Sequence, residues 1–354
     1  MKSRFLQLAV NFFLTASLVL TFASSALSAE TFNLKFVSEY PDKHPTVKNG
    51  WLPWIEEVKQ LSGGRLNITF FNPNALVPAR QVWDSVIAGV ADIGASPAHW
   101  VHGKLRVAPV VQLPLMFNGS EAGSLTTWQL NQTIPEWKKE YKQVKVLWFW
   151  SSALFQVHMK NGIVKNLDDL KGKKMIGWNP QIRNIIKTLG ANSVEVTPHD
   201  TYLALERGMA DGVVCPIAPM KVFKITDVAK NHTIVDLMSD PFYAVMNKRK
   251  WNSLPADLQK ILTDTTGERM AQISGKTMDE GAIRDVKWMK SKGHQFYVLP
   301  AAEKAKWQAK IDPIHKSWVK AMKQKGYRNA QKIRDETVRL GMKYSKTTFG
   351  GYPK

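Results

Sequence analysis

Phe32, Leu34 and Phe36 alternate with Asn33 and Lys35, and this period of two predicts a strand over 32–37 with one strongly apolar face. The loop SEYPDKHP follows, dense in turn formers. From Val47 to Leu61 the period changes: Val47, Trp51, Trp54, Ile55, Val58 and Leu61 recur at three- and four-residue steps, a helix that Ser62-Gly63-Gly64 stops. RLNITFF at 65–71 predicts a second strand. A helix over about 79–88, capped by Gly89, leads into the short apolar strand ADIGAS at 91–96.

The same grammar returns further along. VKVLWFW at 144–150 and ALFQVHM at 153–159 read as strands passing from one lobe to another; KKMIGW at 173–178, a helix from about Pro180 to Leu189 and SVEV at 193–196 follow. The helix TYLALERGM then runs into DGVVCP at 211–216, so Gly208-Met-Ala-Asp211 echoes Gly89-Val-Ala-Asp92. Strands alternating with helices predict parallel α/β architecture in two similar lobes. After PFYAVMN at 241–247, the segment Pro255–Lys292 is almost continuously helical in pattern, with Gly267, Gly275 and Gly281 as weak points. Unbroken it would span roughly 57 Å, enough to bridge both lobes. Ala301–Tyr344 reads as further amphipathic helix and the tail after Lys346 as frayed. The lobe expectation is 30–153 plus about 240–280 for one, and 154–239 plus about 281–346 for the other, with 347–354 as the tail.

Composition agrees with a folded, two-core chain: 354 residues with 44% apolar and 22% charged. A formal charge of +20 raises nucleic acid as a partner, but the basic residues are scattered in short, interrupted groups and read as solvated surface. The first residues set the compartment. Lys2 and Arg4 precede an apolar stretch, Phe5–Phe22, that ends in the small residues ASSALSA, the pattern of a secretory signal peptide over 1–29. Cleavage after Ser28 or Ala29 leaves +18. Cys215 is the single cysteine, which excludes an internal disulfide and leaves no lipid-bearing cysteine at the cleavage site. A soluble bacterial periplasmic protein is expected, and a nucleic-acid role is set aside.

Enzyme signatures are missing: no GxSxG, GxxxxGK[ST], HExxH or CxxC occurs. Cys215 lies in the apolar run VVCP and reads as a buried, inert thiol. His99 and His102 have a spacing compatible with a metal pair, but no acidic or cysteine ligand stands near them in sequence; loop or pocket-wall histidines are the reading taken, with no metal and no cofactor. His199-Asp200 opens a helix, where Asp200 suits an N-cap. Among the thirteen tryptophans, Trp51 and Trp54 have core spacing, whereas Trp100 and Trp178 follow strand ends, where open α/β sheets bind ligands.

Five stretches together carry a family resemblance: NPNALVPARQVWDSVIAGVADIG at 72–94, VVQLPLMF at 110–117, LDDLKGKKM at 167–175, LGANSVEVTPHDTYLALERGMADG at 189–212 and LPADLQKIL at 254–262. In this order they resemble the DctP-type solute-binding proteins of tripartite ATP-independent periplasmic (TRAP) transporters. The resemblance implies a two-lobed α/β periplasmic binding protein with crossing hinge strands and a long helix lying across both lobes. It also implies a small-molecule solute closed between the lobes, a membrane permease as partner, and no catalysis. The expected protein is a monomer.

Departures from the family pattern shape the expected site. The arginine that family members use to clamp a carboxylate falls at Ile176, a second arginine position at Gln156, the polar pair of the DG-x-x-N-P turn at Val214 and Cys215, and an acidic or polar position at Pro97. The solute is accordingly expected to be neutral, apolar-bodied or aromatic, sandwiched by Trp100, Trp178 and Phe242 and oriented by Gln156, Asn179 and His99. Ile176, Cys215 and Tyr40, in the loop after the first strand, complete the candidate wall. Arg183, early in the helix after Ile176, is the residue that would restore an acid clamp, with an exposed helix arginine as its other reading; Arg80 reads as lobe-positioning. Two other classes stay open: a binding protein acting as a stand-alone sensor, and an exported enzyme.

Overall fold

A computed structural model describes residues 30–354 apart from 102, 349, 351, 353 and 354, so the signal-peptide expectation and His102 lie outside the described residues. In chain order the elements are β1 (Phe32–Ser38), α1 (Leu52–Leu61), β2 (Leu66–Phe71), α2 (Val82–Ala88), β3 (Ile93–Pro97), α3 (Ser120–Thr133), α4 (Pro135–Glu140), β4 (Val144–Ser151), β5 (Gln156–Met159), β6 (Lys174–Gly177), α5 (Pro180–Thr188) and β7 (Asn192–Val194). There follow α6 (Thr201–Glu206), β8 (Gly212–Cys215), α7 (Ile217–Val222), β9 (Asn231–Ile234), β10 (Pro241–Asn247), α8 (Lys248–Ser253), α9 (Ala256–Thr265), α10 (Glu268–Ser291), β11 (Gln295–Val298), α11 (Ala301–Gln324) and α12 (Ala330–Thr347).

Two sheets result. The first has the order β2-β1-β3-β10-β4 and the second β11-β9-β5-β8-β6-β7. In each, two parallel neighbours (β1 with β3, β6 with β8) lie beside an antiparallel strand (β10; β5). The first sheet packs its tryptophans on α1: Trp51, Trp54, Trp148 and Trp150 are buried around Phe36, with ring centroids 4.9–6.5 Å apart.

The chain crosses between the sheets at 152–155 and returns at 237–240. The two crossings are bonded to each other: Ser152 N donates to Asp240 O at 2.9 Å, Phe155 N to Met238 O at 2.8 Å, and Leu237 N to Phe155 O at 3.0 Å. Because these residues leave the ladders, β5 begins at Gln156 rather than at Ala153.

The expected continuous helix over 255–292 is broken. Thr266 leaves helical geometry and Gly267 takes φ 65°, ψ −133°, so α9 and the 24-residue α10 meet at a bend. A side chain would be strained there. Gly275 and Gly281 stay inside α10, the former because a Cβ would stand 2.5 Å from Glu121 Cα of α3. The C-terminal amphipathic stretch is likewise two helices, parted by a turn after α11 that Gly326 makes with φ 92°.

Candidate functional site

Open α/β sheets bind ligands outside the carboxyl ends of their parallel strands. Here those ends are Ser38 and Pro97 in the first sheet and Gly177 and Cys215 in the second, with the two crossings between them. The residues just beyond form two walls.

On the first wall, Tyr40 stacks on His44 at 3.9 Å and lies 5.6 Å from Phe242, which in turn stacks on Trp150 at 5.1 Å. Trp100 is half-buried under the exposed Arg80, whose guanidinium carbon stands 5.1 Å above its ring. His99 brings its Nδ1 to 3.9 Å from Asp240 Oδ1 without a hydrogen bond. Asp240, only 7% exposed, accepts from Gln112 Nε2 at 2.6 Å. Next to it, Glu39 keeps Oε1 enclosed and unpartnered. Burial, with the Asp240 carboxylate adding to it, pushes Glu39 up to about 8, so this acid is protonated at neutral pH.

On the second wall, Trp178 is half-buried, donates Nε1–H to Thr201 Oγ1 at 3.0 Å and meets Phe223 edge-on at 6.0 Å. Asn179 caps α5 by accepting from Ile182 N at 2.9 Å. Arg183 donates to the Gly177 carbonyl at 3.2 Å and pairs with Glu195 at 3.1 Å. Ile176 is 0% exposed and belongs to the core of the second sheet.

Gln156, also fully buried, spends its amide on the crossing: Oε1 accepts from Val235 N at 2.7 Å and Asp236 N at 2.9 Å, while Nε2 donates to Asp236 Oδ1 at 3.0 Å. Asp236 sits at φ 57°, a left-handed position that these bonds hold. Asp200 occupies the N-cap position of α6, but its carboxylate accepts from Thr197 Oγ1 instead of capping the helix.

Several residues on these walls escaped the sequence reading. Glu39 and Asp240 sit in loops without a motif, Gln112 and Phe223 follow no periodicity, and Tyr352 belongs to the tail expected to fray. Tyr352 is instead 5% exposed and donates its hydroxyl to Leu154 O at 3.2 Å.

Beneath the second wall runs a chain of imidazoles. His158 Nε2 lies 3.0 Å from Cys215 O, His158 Nδ1 2.9 Å from His232 Nδ1, and His232 Nε2 2.8 Å from His294 Nδ1. A carbonyl only accepts, so His158 carries its proton on Nε2; His232 must then donate from Nδ1, and His294 from Nδ1. Burial pushes all three rings down, His158 to about 4. Burial also pushes the Cys215 thiol up, as an inert thiol requires. Among the described residues no group of three or more His, Cys, Asp or Glu is placed to hold a metal ion.

The family model for DctP, bacterial extracellular solute-binding protein family 7, matches residues 36–321. The chain belongs to this family. This DctP-family chain is 26% identical over 292 residues to the C4-dicarboxylate-binding periplasmic protein DctP of Rhodobacter capsulatus, covering 81% of the chain and 86% of that protein.

Among solved structures, a TRAP solute-binding protein of Rhodoferax ferrireducens in complex with copurified benzoate superimposes with TM-score 0.79 at 26% identity, over 90% of this chain and 99% of that one. A marine metagenome protein specific for aromatic acid ligands, in complex with 3-hydroxybenzoate, gives 0.80 at 27% identity, over 89% and 99%. A TRAP protein of Desulfovibrio salexigens, whose ligand-binding site holds the C-terminus of a symmetry mate, gives 0.81 at 28%, over 90% and 98%. The DctP-family chain is therefore a periplasmic TRAP solute-binding protein that captures small organic solutes, and it is not an enzyme. A TRAP system implies a membrane permease as partner.

Proposed function

We propose that this protein captures a neutral solute with an aromatic or apolar body, held between Trp100 and Trp178, and hands it as a monomer to a TRAP permease. The lobes that close on it are 30–153 with about 240–280 and 154–239 with about 281–346. The observation that carries the reading is the loss of the clamp position itself: Ile176 stands there in the core, while Arg183, the residue that would replace the clamp, bonds Glu195 and Gly177 O. Asp240 and protonated Glu39 offer no counter-charge to a carboxylate. An aromatic body is supported by the Rhodoferax ferrireducens and marine proteins, whose ligands are benzoate and 3-hydroxybenzoate.

The test is a thermal-shift screen of residues 30–354 with benzamide, benzyl alcohol and benzoate as matched probes. A probe that binds the folded state raises the midpoint. The neutral members are expected to shift it and benzoate is not, with Trp178→Ala removing the shift. Should benzoate win and Arg183→Ala abolish its effect, the acid clamp has moved to Arg183 and the reading fails.

A further inference from the structure

Three adjacent strands of the first sheet, β1, β3 and β10, bring polar side chains to the crevice at one place. β10 is antiparallel to β3, with Phe242 opposite Pro97, so it starts where β1 and β3 stop. Glu39 is the first residue beyond β1, His99 the second beyond β3, and Asp240 the last before β10. Glu39 N donates to Ala95 O of β3 at 3.3 Å, and His99 Nδ1 stands 3.9 Å from Asp240 Oδ1. The three side chains therefore share one patch of the first wall.

Asp240 is fixed by its backbone, its N donating to Ser152 Oγ at 2.9 Å and its carbonyl accepting from Ser152 N at 2.9 Å. Its carboxylate is buried and gives Oδ1 to Gln112 Nε2, but no hydrogen bond from the described residues reaches Oδ2. Nor does a lysine or arginine among them pair with it. His99 is too distant to bond, and its own Nδ1 is enclosed without a partner. A buried carboxylate so poorly matched is unfavourable, and a donor carried by a ligand relieves it. Glu39 has the opposite need: protonated at neutral pH, it holds a hydrogen to donate, and its Oε1 is enclosed without a partner.

We infer that this patch reads a primary carboxamide, with Asp240 Oδ2 accepting an amide N–H and the amide carbonyl accepting from the Glu39 carboxyl and His99 Nδ1, and that the solute is an arylcarboxamide. The inference rests on the neutral, aromatic reading above and narrows it. An amide carries a donor and an acceptor on neighbouring atoms, and the patch offers the complement of each. An ammonium group brings donors only, and a ketone an acceptor only. The place of the ring follows from the chain: Trp100 is the residue after His99, and the two rings meet edge-on with centroids 6.1 Å apart. An amide held at the patch sets an attached ring against Trp100. Asp240 is thus a specificity-determining residue, because it alone of the three demands a donor.

The experiment measures dissociation constants of the 30–354 chain by titration calorimetry for benzamide, for acetophenone, which keeps the ring and carbonyl and lacks the N–H, and for benzylamine. Benzamide should bind more tightly than acetophenone by about tenfold or more, the scale of a hydrogen bond to a charged group. Asp240→Asn, which keeps the size of the side chain and presents an amide in place of the carboxylate, should remove that preference while acetophenone binds as before. A merely structural role would weaken both ligands together. Acetophenone binding as tightly as benzamide to the unsubstituted chain overturns the inference without any variant, as does benzylamine binding more tightly than benzamide, or a preference that survives in Asp240→Asn. If acetophenone matches benzamide and Trp178→Ala weakens both, this inference fails alone and the neutral aromatic reading stands. If benzoate binds and neither neutral probe does, that reading fails and the inference falls with it.

Discussion

Glu39 separates a residue's sequence appearance from its physical state. In sequence it is one acid in a turn-rich loop; in the fold its carboxyl is enclosed beside Asp240 and its ordinary value of 4.5 is raised to about 8. Below about pH 4.5 both folded and unfolded chains hold the proton and folding is unaffected. As pH rises, the unfolded chain ionises first, and stability is lost progressively up to about pH 8. Glu39→Gln keeps the shape and removes the proton. Its melting temperature is expected to match the parent at pH 4.5 and to exceed it by several degrees at pH 8.5. Equal profiles at both pH values would mean that Glu39 ionises freely in the fold.

The candidate set divides at this same scale. Trp100, Trp178 and Tyr40 were picked out because each follows a strand in the sequence pattern, and the structure sets each of them just after a strand end, whereas Phe242 lies within β10 and packs on Trp150. The orienting role given to Gln156 could not be weighed, because its partners, Val235 and Asp236, are about eighty positions away.

Among the elements, the Gly-x-Ala-Asp echo has a shared physical cause. Gly89 ends α2 in the left-handed region and Gly208 follows α6 in the same conformation. Each aspartate then reaches the neighbouring parallel strand: Asp92 Oδ2 accepts from Lys35 N at 2.8 Å, and Asp211 Oδ2 from Lys174 N at 2.7 Å. The backbone closes each pair, since Asp92 N donates to Lys35 O and Asp211 N to Lys174 O. A four-residue likeness thus marks the same helix-to-strand joint in both sheets.

Helix α3 had no such signal. Ser120, Gly123, Ser124, Thr126 and Thr127 are all buried, so the helix lacks a hydrophobic stripe and was invisible to periodicity. It is held by close approach: Asp279 of α10 accepts from Ser120 N at 2.7 Å and Glu121 N at 2.9 Å, and Gly275 lies against Glu121. Gly275→Ala places a methyl where backbone already stands. It should cost about 1–3 kcal/mol of stability, the usual range for overpacking, read as a lower denaturant midpoint. A midpoint unchanged from the parent would show that α3 and α10 part easily.

The whole molecule carries opposed titrations in its two sheets. Glu39 stands beyond the first; Asp279, where α10 meets α3, and Glu140 on α4 are each raised by burial to about 7. All three weaken folding as pH rises. The imidazole chain works the other way. His158 and His232 lie on adjacent strands of the second sheet and His294 just before β11. Each has its folded value depressed by burial below 6.5, so its contribution is complete above about pH 6.5 and is lost as pH falls toward 4. The chain geometry sharpens this loss. With its proton on Nε2, His158 cannot take a second on Nδ1 without losing the bond from His232, and His232 cannot take one on Nε2 without losing that from His294. At the chain's outer end the charge of Lys230 adds to burial in pushing His294 down, and that of Asp227 pulls it up more weakly. The melting temperature should therefore peak between about pH 5.5 and 7 and fall on both sides, with the acid flank assigned to the second sheet. Histidine ¹⁵N spectra supply the independent readout. On acidification the His158 and His232 signals should change together with the loss of the second sheet's amide protection, while the tryptophan fluorescence of the first sheet persists. Protonation of His158 at pH 6 with that protection intact would disprove the directional chain.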